Sequence, residues 1–177
     1  MRKISLLFTF IIISHLALAQ INSDEALAIQ YFQTGEFARA ADSYQKLFNK
    51  SKNIAYYDPY LTSLLRSKQY DDAEQLVRKQ LKNNSQNYIF SVDLGRIFQE
   101  RGMQEKAVNW YNDLIKNLPA NELSIRDLAT AFYRAETYDY AIKTFVAGRK
   151  LINDEDVFSF DLIGLYRYRK DKAMLIQ

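Results

Sequence analysis

Residues 94–119 read LGRIFQERGMQEKAVNWYNDLIKNLP, and this stretch decides the fold. Before a short polar turn, Leu94 and Phe98 stand four residues apart, and after the turn Ala107 and Tyr111 have the same spacing. Residues four apart lie on one face of an α-helix. The stretch therefore predicts two helices joined by a tight turn, each with an apolar face that packs against the other.

The same pattern returns along the chain. Four alanines follow one another at intervals of 33, 34 and 34 residues, and four residues after each comes a larger apolar or aromatic side chain. These pairs are Ala40 and Tyr44, Ala73 and Val77, Ala107 and Tyr111, and Ala141 and Phe145. Upstream, the pairs Leu27-Ala28, Tyr60-Leu61, Leu94-Gly95 and Leu128-Ala129 recur in the same phase. A repeat of this length is typical of stacked helical hairpins.

The period predicts one hairpin per repeat. A single hairpin cannot bury its apolar face, whereas stacked neighbours form a continuous core. We expect small residues where the two helices of a hairpin approach closely and large residues at the flanks. The predicted hairpins cover residues 22–50, 54–83, 87–117 and 121–152.

These residues resemble the tetratricopeptide repeat, which combines a Leu-Gly pair, two aromatic positions, a central alanine and a closing proline. The third repeat matches it with Leu94, Gly95, Phe98, Ala107, Tyr111 and Pro119. The family's early tryptophan is replaced by Asp24, Tyr57, Ser91 and Ile125, and only the third repeat has the closing proline. The resemblance covers residues 21–153. It implies an all-α superhelical solenoid of antiparallel hairpins over residues 20–153, with ligands bound on a concave face lined by the first helix of each repeat.

Residues 154–177 open as a partial fifth repeat, with Leu162, Ile163 and Tyr166 in phase. The period then predicts a turn and the beginning of a second helix. Terminal repeats of solenoids normally present a polar outer face, so an apolar end favours the front portion of a longer protein. The alternative is a short helix that caps the array.

The amino terminus has the features of a secretory signal peptide. Arg2 and Lys3 precede a run without charged residues from Ile4 to Ala19, which closes on a small-x-small motif. Cleavage is expected between Ala19 and Gln20, so residues 1–19 would be removed and the chain exported, either to the periplasm or out of the cell. An uncleaved anchor is the alternative, but the run is short for a helix of roughly 20 residues that spans a membrane.

Composition excludes several kinds of chemistry. The chain has no Cys, and its single His, His15, would leave with the signal peptide. The mature chain then offers no thiol or imidazole nucleophile, no His or thiolate metal site and no disulfide. It would carry 22 cations against 21 anions, because Arg2 and Lys3 leave from a total of 24. We therefore expect no cofactor, no metal and no nucleic-acid partner.

Two short motifs suggest chemistry but lack the residues that would complete it. Ser43 and Lys46 have the S-x-x-K spacing of a serine hydrolase, without the companion motifs. The acidic run Asp154–Asp156 lacks the glycine and the distal glutamate of a calcium loop, and a helix start explains it better. We interpret the chain as non-catalytic.

The resemblance places polar residues of the first helices on the concave face. Asp93, Asp127 and Asp161 form a ladder spaced 34 residues apart, which could hold an extended peptide together with arginines. Alternatively, each aspartate stabilises its own helix and pairs with an arginine of the next repeat. The candidates are Asp58, Thr62, Arg66, Asp93, Arg96, Glu100, Arg126, Asp127, Thr130, Tyr133, Arg134, Asp161 and Arg167.

One ligand mode known in the family is absent. The clamp for a terminal carboxylate uses Lys and Asn on successive first helices, where this chain has Glu25, Ile29, Asp58 and Thr62. Among the aromatic residues, Tyr56, Tyr133, Phe160 and Tyr168 fall outside the core phase.

Two functional hypotheses follow. The first is an exported scaffold that binds a protein or peptide on its concave face without turnover. The second is a docking or sensor region of a longer envelope protein whose activity lies beyond residue 177.

Overall fold

The structure is a computed structural model that describes residues 23–175, with side chains to Lys170. Over this range the chain is helical, with a short 3-10 turn at Ile54–Tyr56 and no β-strand. The all-α class predicted from the sequence is confirmed. The helices are α1 (residues 23–33), α2 (Phe37–Ser51), α3 (Tyr57–Arg66), α4 (Tyr70–Asn83), α5 (Tyr88–Glu100), α6 (Gln104–Lys116), α7 (Glu122–Arg134), α8 (Tyr138–Ile152) and α9 (Ser159–Leu175).

The predicted signal segment, with Ala19 and Gln20, lies outside the described residues. Between residues 23 and 175, no helix is both long and apolar enough to cross a membrane.

One type of turn joins the two helices of each hairpin. Gly35, Lys68, Gly102 and Glu136 lie in the left-handed region, with φ between 59° and 82°. In each turn the following amide donates to the carbonyl five residues before it, as Met103 N does to Phe98 O at 2.8 Å. This bond is the signature of the Schellman motif, which satisfies carbonyls at the end of a helix. The turns therefore repeat with the period of the sequence.

The described part of the chain forms two compact units, which divide between Ala73 and Glu74. In the N-terminal unit, α2 packs against α3. Ala28 and Ala40 are fully buried there, as expected for small residues where helices approach closely. The ring of Tyr44 lies between those of Phe32 and Tyr56, with centroids 6.2 and 6.4 Å away.

In the C-terminal unit, the hairpins α5–α6 and α7–α8 stack on each other, and α9 packs against α8. The helices approach closely at Gly95, where an added Cβ would clash with Tyr111 Cε1 and lie 2.7 Å from Tyr111 Cζ. Tyr111 in turn stacks edge-on against Phe132, with ring centroids 5.1 Å apart. The small residue of the third repeat thus makes room for an aromatic ring.

The last helix differs from the sequence prediction. The expected turn after Tyr166 is wrong, because α9 continues to Leu175 without a break. Residues 167–173 contain neither Gly nor Pro and consist largely of good helix formers. Leu162 is buried as predicted, but Ile163 and Tyr166 are 64% and 47% exposed. Their equivalents in the fourth repeat, Ala129 and Phe132, are buried in the hairpin.

Candidate functional site on the first helices

Two grooves lie on the first helices of the C-terminal unit. One, the α7–α9 groove, has a volume of about 350 Å³ and is lined by both helices. The other, the α5–α7 groove, has a volume of about 320 Å³ and is lined by α7 and the start of α5. Thr130 lines both grooves and is exposed. The two grooves therefore flank one face of α7, on the side where the resemblance places ligands.

The α7–α9 groove is mainly aromatic and apolar. Tyr133 and Tyr168 line it with ring centroids 5.5 Å apart, and both rings contact Tyr138, outside the lining, with centroids 5.6 and 5.1 Å away. We call these three residues the tyrosine cluster. The other side chains that give the groove its character are Thr130, Phe145, Phe160, Asp161 and Leu165.

The α5–α7 groove is more polar. Asp127, Thr130 and Arg134 contribute from α7, and Asn87 and Tyr88 from the beginning of α5. The Asn87 side chain caps α5, since its Oδ1 accepts a hydrogen bond from Ile89 N at 3.0 Å. This oxygen is therefore already engaged within the protein. Asp127 and Arg134 are seven residues apart and thus lie two turns apart on α7.

The acid ladder divides into two kinds of residue. Nη2 of Arg134 donates to both carboxylate oxygens of Asp93, at 2.8 and 2.7 Å, and the Asp93 side chain is fully buried. Arg126 Nη1 donates to Asp161 Oδ2 at 2.6 Å. These two aspartates thus pair with arginines of the neighbouring repeat and hold adjacent first helices together. The expectation that Asp93 faces a ligand does not fit its burial.

Asp127 is the exception in the ladder. It is exposed, and it has no ion pair within residues 23–170. Asp93 pairs with a residue 41 positions later, and the position 41 after Asp127 holds Tyr168 rather than an arginine. Tyr168 joins the tyrosine cluster instead. Because Tyr168 stands where an arginine would be expected, the carboxylate of Asp127 is available to a ligand.

The remaining predicted residues lie elsewhere. Asp58, Thr62 and Arg66 are on α3 in the N-terminal unit, where Arg66 lines a shallow cavity with Phe37. In the C-terminal unit, Arg96, Glu100 and Arg167 line neither groove.

Sequence reasoning missed several groove residues. Phe145 and Leu165 are buried core residues whose edges reach the α7–α9 groove. Tyr138, in the first turn of α8, lines neither groove but contacts the two tyrosine rings that line the α7–α9 groove. Of the groove residues that were missed, only Gly164 could have been noticed in the sequence, because a glycine inside a predicted helix usually has a packing or functional reason.

The described side chains do not suggest metal chemistry. Among residues 23–170, no group of three or more His, Cys, Asp or Glu side chains could hold a metal ion. The grooves offer hydroxyl groups, aromatic rings and one available carboxylate, which are groups suited to binding.

Comparisons with known proteins find similarity among solved structures only. No family model matches the chain, and no curated protein matches it. Among solved structures, it is similar to one described as MamA MSR-1 C2, with 19% identity, a TM-score of 0.41 and coverage of 75% of this chain and 77% of the other. A second, MamA RS-1 ArsTM double mutant, has 16% identity, a TM-score of 0.43 and coverage of 77% and 78%.

Proposed function

We propose that this chain is a non-catalytic, exported scaffold that binds an extended segment of a partner protein on the face of α5, α7 and α9. The observation that carries the proposal is the pair of adjacent grooves that share Thr130. An extended segment could cross α7 and enter both grooves, which would give a repeat protein a longer contact than either groove alone.

The character of the lining supports binding rather than turnover. Exposed tyrosines supply contact area at low entropic cost, and the carboxylate of Asp127 can orient a polar group. The absence of Cys, the single His in the predicted signal segment and the near balance of charge argue for a protein partner and against a nucleic acid.

Replacing Thr130 with arginine is expected to reduce partner capture strongly. The long, charged side chain would enter both grooves, while an exposed helical position tolerates arginine. The measurement is capture of partners from cell-envelope extract by the purified chain, with quantitative mass spectrometry. We expect the captured amount of the specific partner to fall about tenfold or more.

Val146→Arg is the matched control, because Val146 is exposed on α8 and lines neither groove. Equal capture by the wild type and the Thr130→Arg variant would exclude this face as the binding site. The experiment avoids Asp93, because its substitution would disturb a buried ion pair.

Export rests on residues 1–19 of the sequence. We expect the chain recovered from a cell-envelope fraction to begin at Gln20 when its amino terminus is sequenced. Recovery of a chain that begins at Met1 would contradict both cleavage and this part of the proposal.

A second candidate function is a docking region within a longer envelope protein. The exposed Ile163 and Tyr166 favour it, since their equivalents in the fourth repeat are covered by a second helix. The reading frame downstream of Gln177 decides this candidate, and an in-frame stop there would exclude it.

A further inference from the structure

We propose that the α7–α9 groove binds an uncharged, proline-rich segment of the partner in the extended polyproline II conformation. The inference rests on the proposed function and names the ligand class of one of its two grooves. Three observations carry it: an unexplained glycine, a lining whose charge is neutralised, and the tyrosine cluster.

The glycine is Gly164, within α9. Glycine inside a helix costs about 1 kcal/mol relative to alanine, so its presence needs a reason. At Gly95 and Gly148 the reason is internal, because an added Cβ would meet Tyr111 and Ile125. At Gly164 an added Cβ would have no heavy atom within 4 Å. Gly164 lines the groove, so the missing side chain leaves open space where another backbone can approach.

The charges around the groove are already paired. Asp161 is the one charged side chain in the lining, and Arg126 holds it at 2.6 Å. Next in sequence to Tyr168 and Tyr138, Arg169 and Asp139 pair with each other at 2.7 Å. A charged ligand group would therefore lose water without gaining a free partner in this groove. The available carboxylate of Asp127 lines the other groove, so an uncharged ligand suits this one better.

Tyr133 and Tyr168 of the tyrosine cluster supply the recognition surface, and Tyr138 packs against both rings. The three rings are inclined to one another by 59° to 65°, and the nearby Phe160 is 91% exposed. Grooves lined by aromatic rings bind proline-rich segments because the pyrrolidine rings pack on the aromatic faces. Such a segment also starts close to its bound conformation and loses little entropy.

Hydrogen bonding favours proline as well. Proline has no backbone N–H, so a proline-rich segment presents carbonyl acceptors. The hydroxyl groups of Thr130, Tyr133 and Tyr168 are donors at the groove. A groove of about 350 Å³ is also at the small end of ligand sites, which suits a few side chains better than a whole helix.

The test uses the full exported chain and a synthetic proline decamer blocked at both ends and carrying a fluorescent label. Binding is measured by fluorescence polarisation, beside a glycine-serine decamer and a decamer that alternates proline with lysine. We expect the proline decamer to bind about tenfold more tightly than either of the other two.

Tyr168→Leu is expected to weaken proline binding about tenfold or more, because it removes one wall of the groove. Tyr166→Leu is the matched control, since the two tyrosines are 43% and 47% exposed on the same helix and only Tyr168 lines the groove. It is expected to change the affinity by less than about twofold. Gly164→Leu should also abolish binding, because its side chain would occupy the space that is open around an added Cβ.

Several results would overturn the inference: tighter binding of the lysine-containing decamer, equal loss in both tyrosine variants, or no binding of the proline decamer. If proline binding is absent while Thr130→Arg still loses the captured partner, the ligand class is wrong and the proposed function stands. If Thr130→Arg leaves capture unchanged, the proposed function itself fails.

Discussion

Replacing Gly95 with alanine is expected to lower the free energy of unfolding by about 2–3 kcal/mol, even though alanine is the better helix former. The new Cβ would lie 2.7 Å from Tyr111 Cζ. The Tyr111 ring cannot yield easily, because Phe132 and Tyr140 enclose it with centroids 5.1 and 4.7 Å away. Overpacking of this kind forces backbone or rotamer strain. Urea denaturation followed by circular dichroism measures the change.

Gly164→Ala is the matched control for this prediction, because its Cβ would have no heavy atom within 4 Å. It should raise the free energy of unfolding by up to about 1 kcal/mol through helix propensity alone. If both variants change the free energy of unfolding in the same direction, close packing is not the reason that position 95 holds glycine.

The sequence also suggests a rescue. At the positions equivalent to Gly95 and Tyr111, the second repeat has the larger Leu61 and the smaller Val77, both buried. Combining Gly95→Ala with Tyr111→Val should therefore cost less than the two single changes added together. Tyr111 is a costly residue to bury in any case, since its hydroxyl has no hydrogen-bond partner among the described residues and burial raises its pKa.

The period predicted the hairpins because the small and large residues that mark it also set how closely helices pack. The period predicted the turns equally well, although only two of them, at Gly35 and Gly102, have a glycine at the left-handed position. Lys68 and Glu136 adopt the same conformation without that signal, and the amide that follows each makes the same hydrogen bond to the carbonyl five residues before it. The continuous course of α9 was not predicted, because no second helix in the described chain packs there and favours a turn.

The site was less predictable for a physical reason. The period shows which acids recur but not what each one faces. Asp93 and Asp127 look equivalent in the sequence, yet Asp93 pairs with Arg134 whereas Asp127 has no ion pair among residues 23–170, since Tyr168 stands at the matching position. A groove between first helices also depends on atoms from buried residues such as Phe145 and Leu165, whose apolar character indicates only core.

Replacing Arg134 with methionine is expected to cost about 3–5 kcal/mol of unfolding free energy, the largest effect predicted for this chain. Its guanidinium donates to both oxygens of the fully buried Asp93. Methionine preserves most of the apolar stem but removes both of these hydrogen bonds from a carboxylate that water does not reach. Removing one partner of a buried ion pair is far more costly than the loss of a surface pair.

Arg126→Met on the same helix separates this effect from the general loss of an arginine. Arg126 also pairs with a ladder aspartate, but Asp161 is 32% exposed, so water can solvate the carboxylate once its partner is gone. We expect this variant to lose only about 0–1 kcal/mol. Denaturation of both variants in parallel measures the difference. Equal losses would mean that burial of Asp93 adds nothing to the pair, and the assignment of Asp93 as a residue that holds α5 against α7 would have to be abandoned.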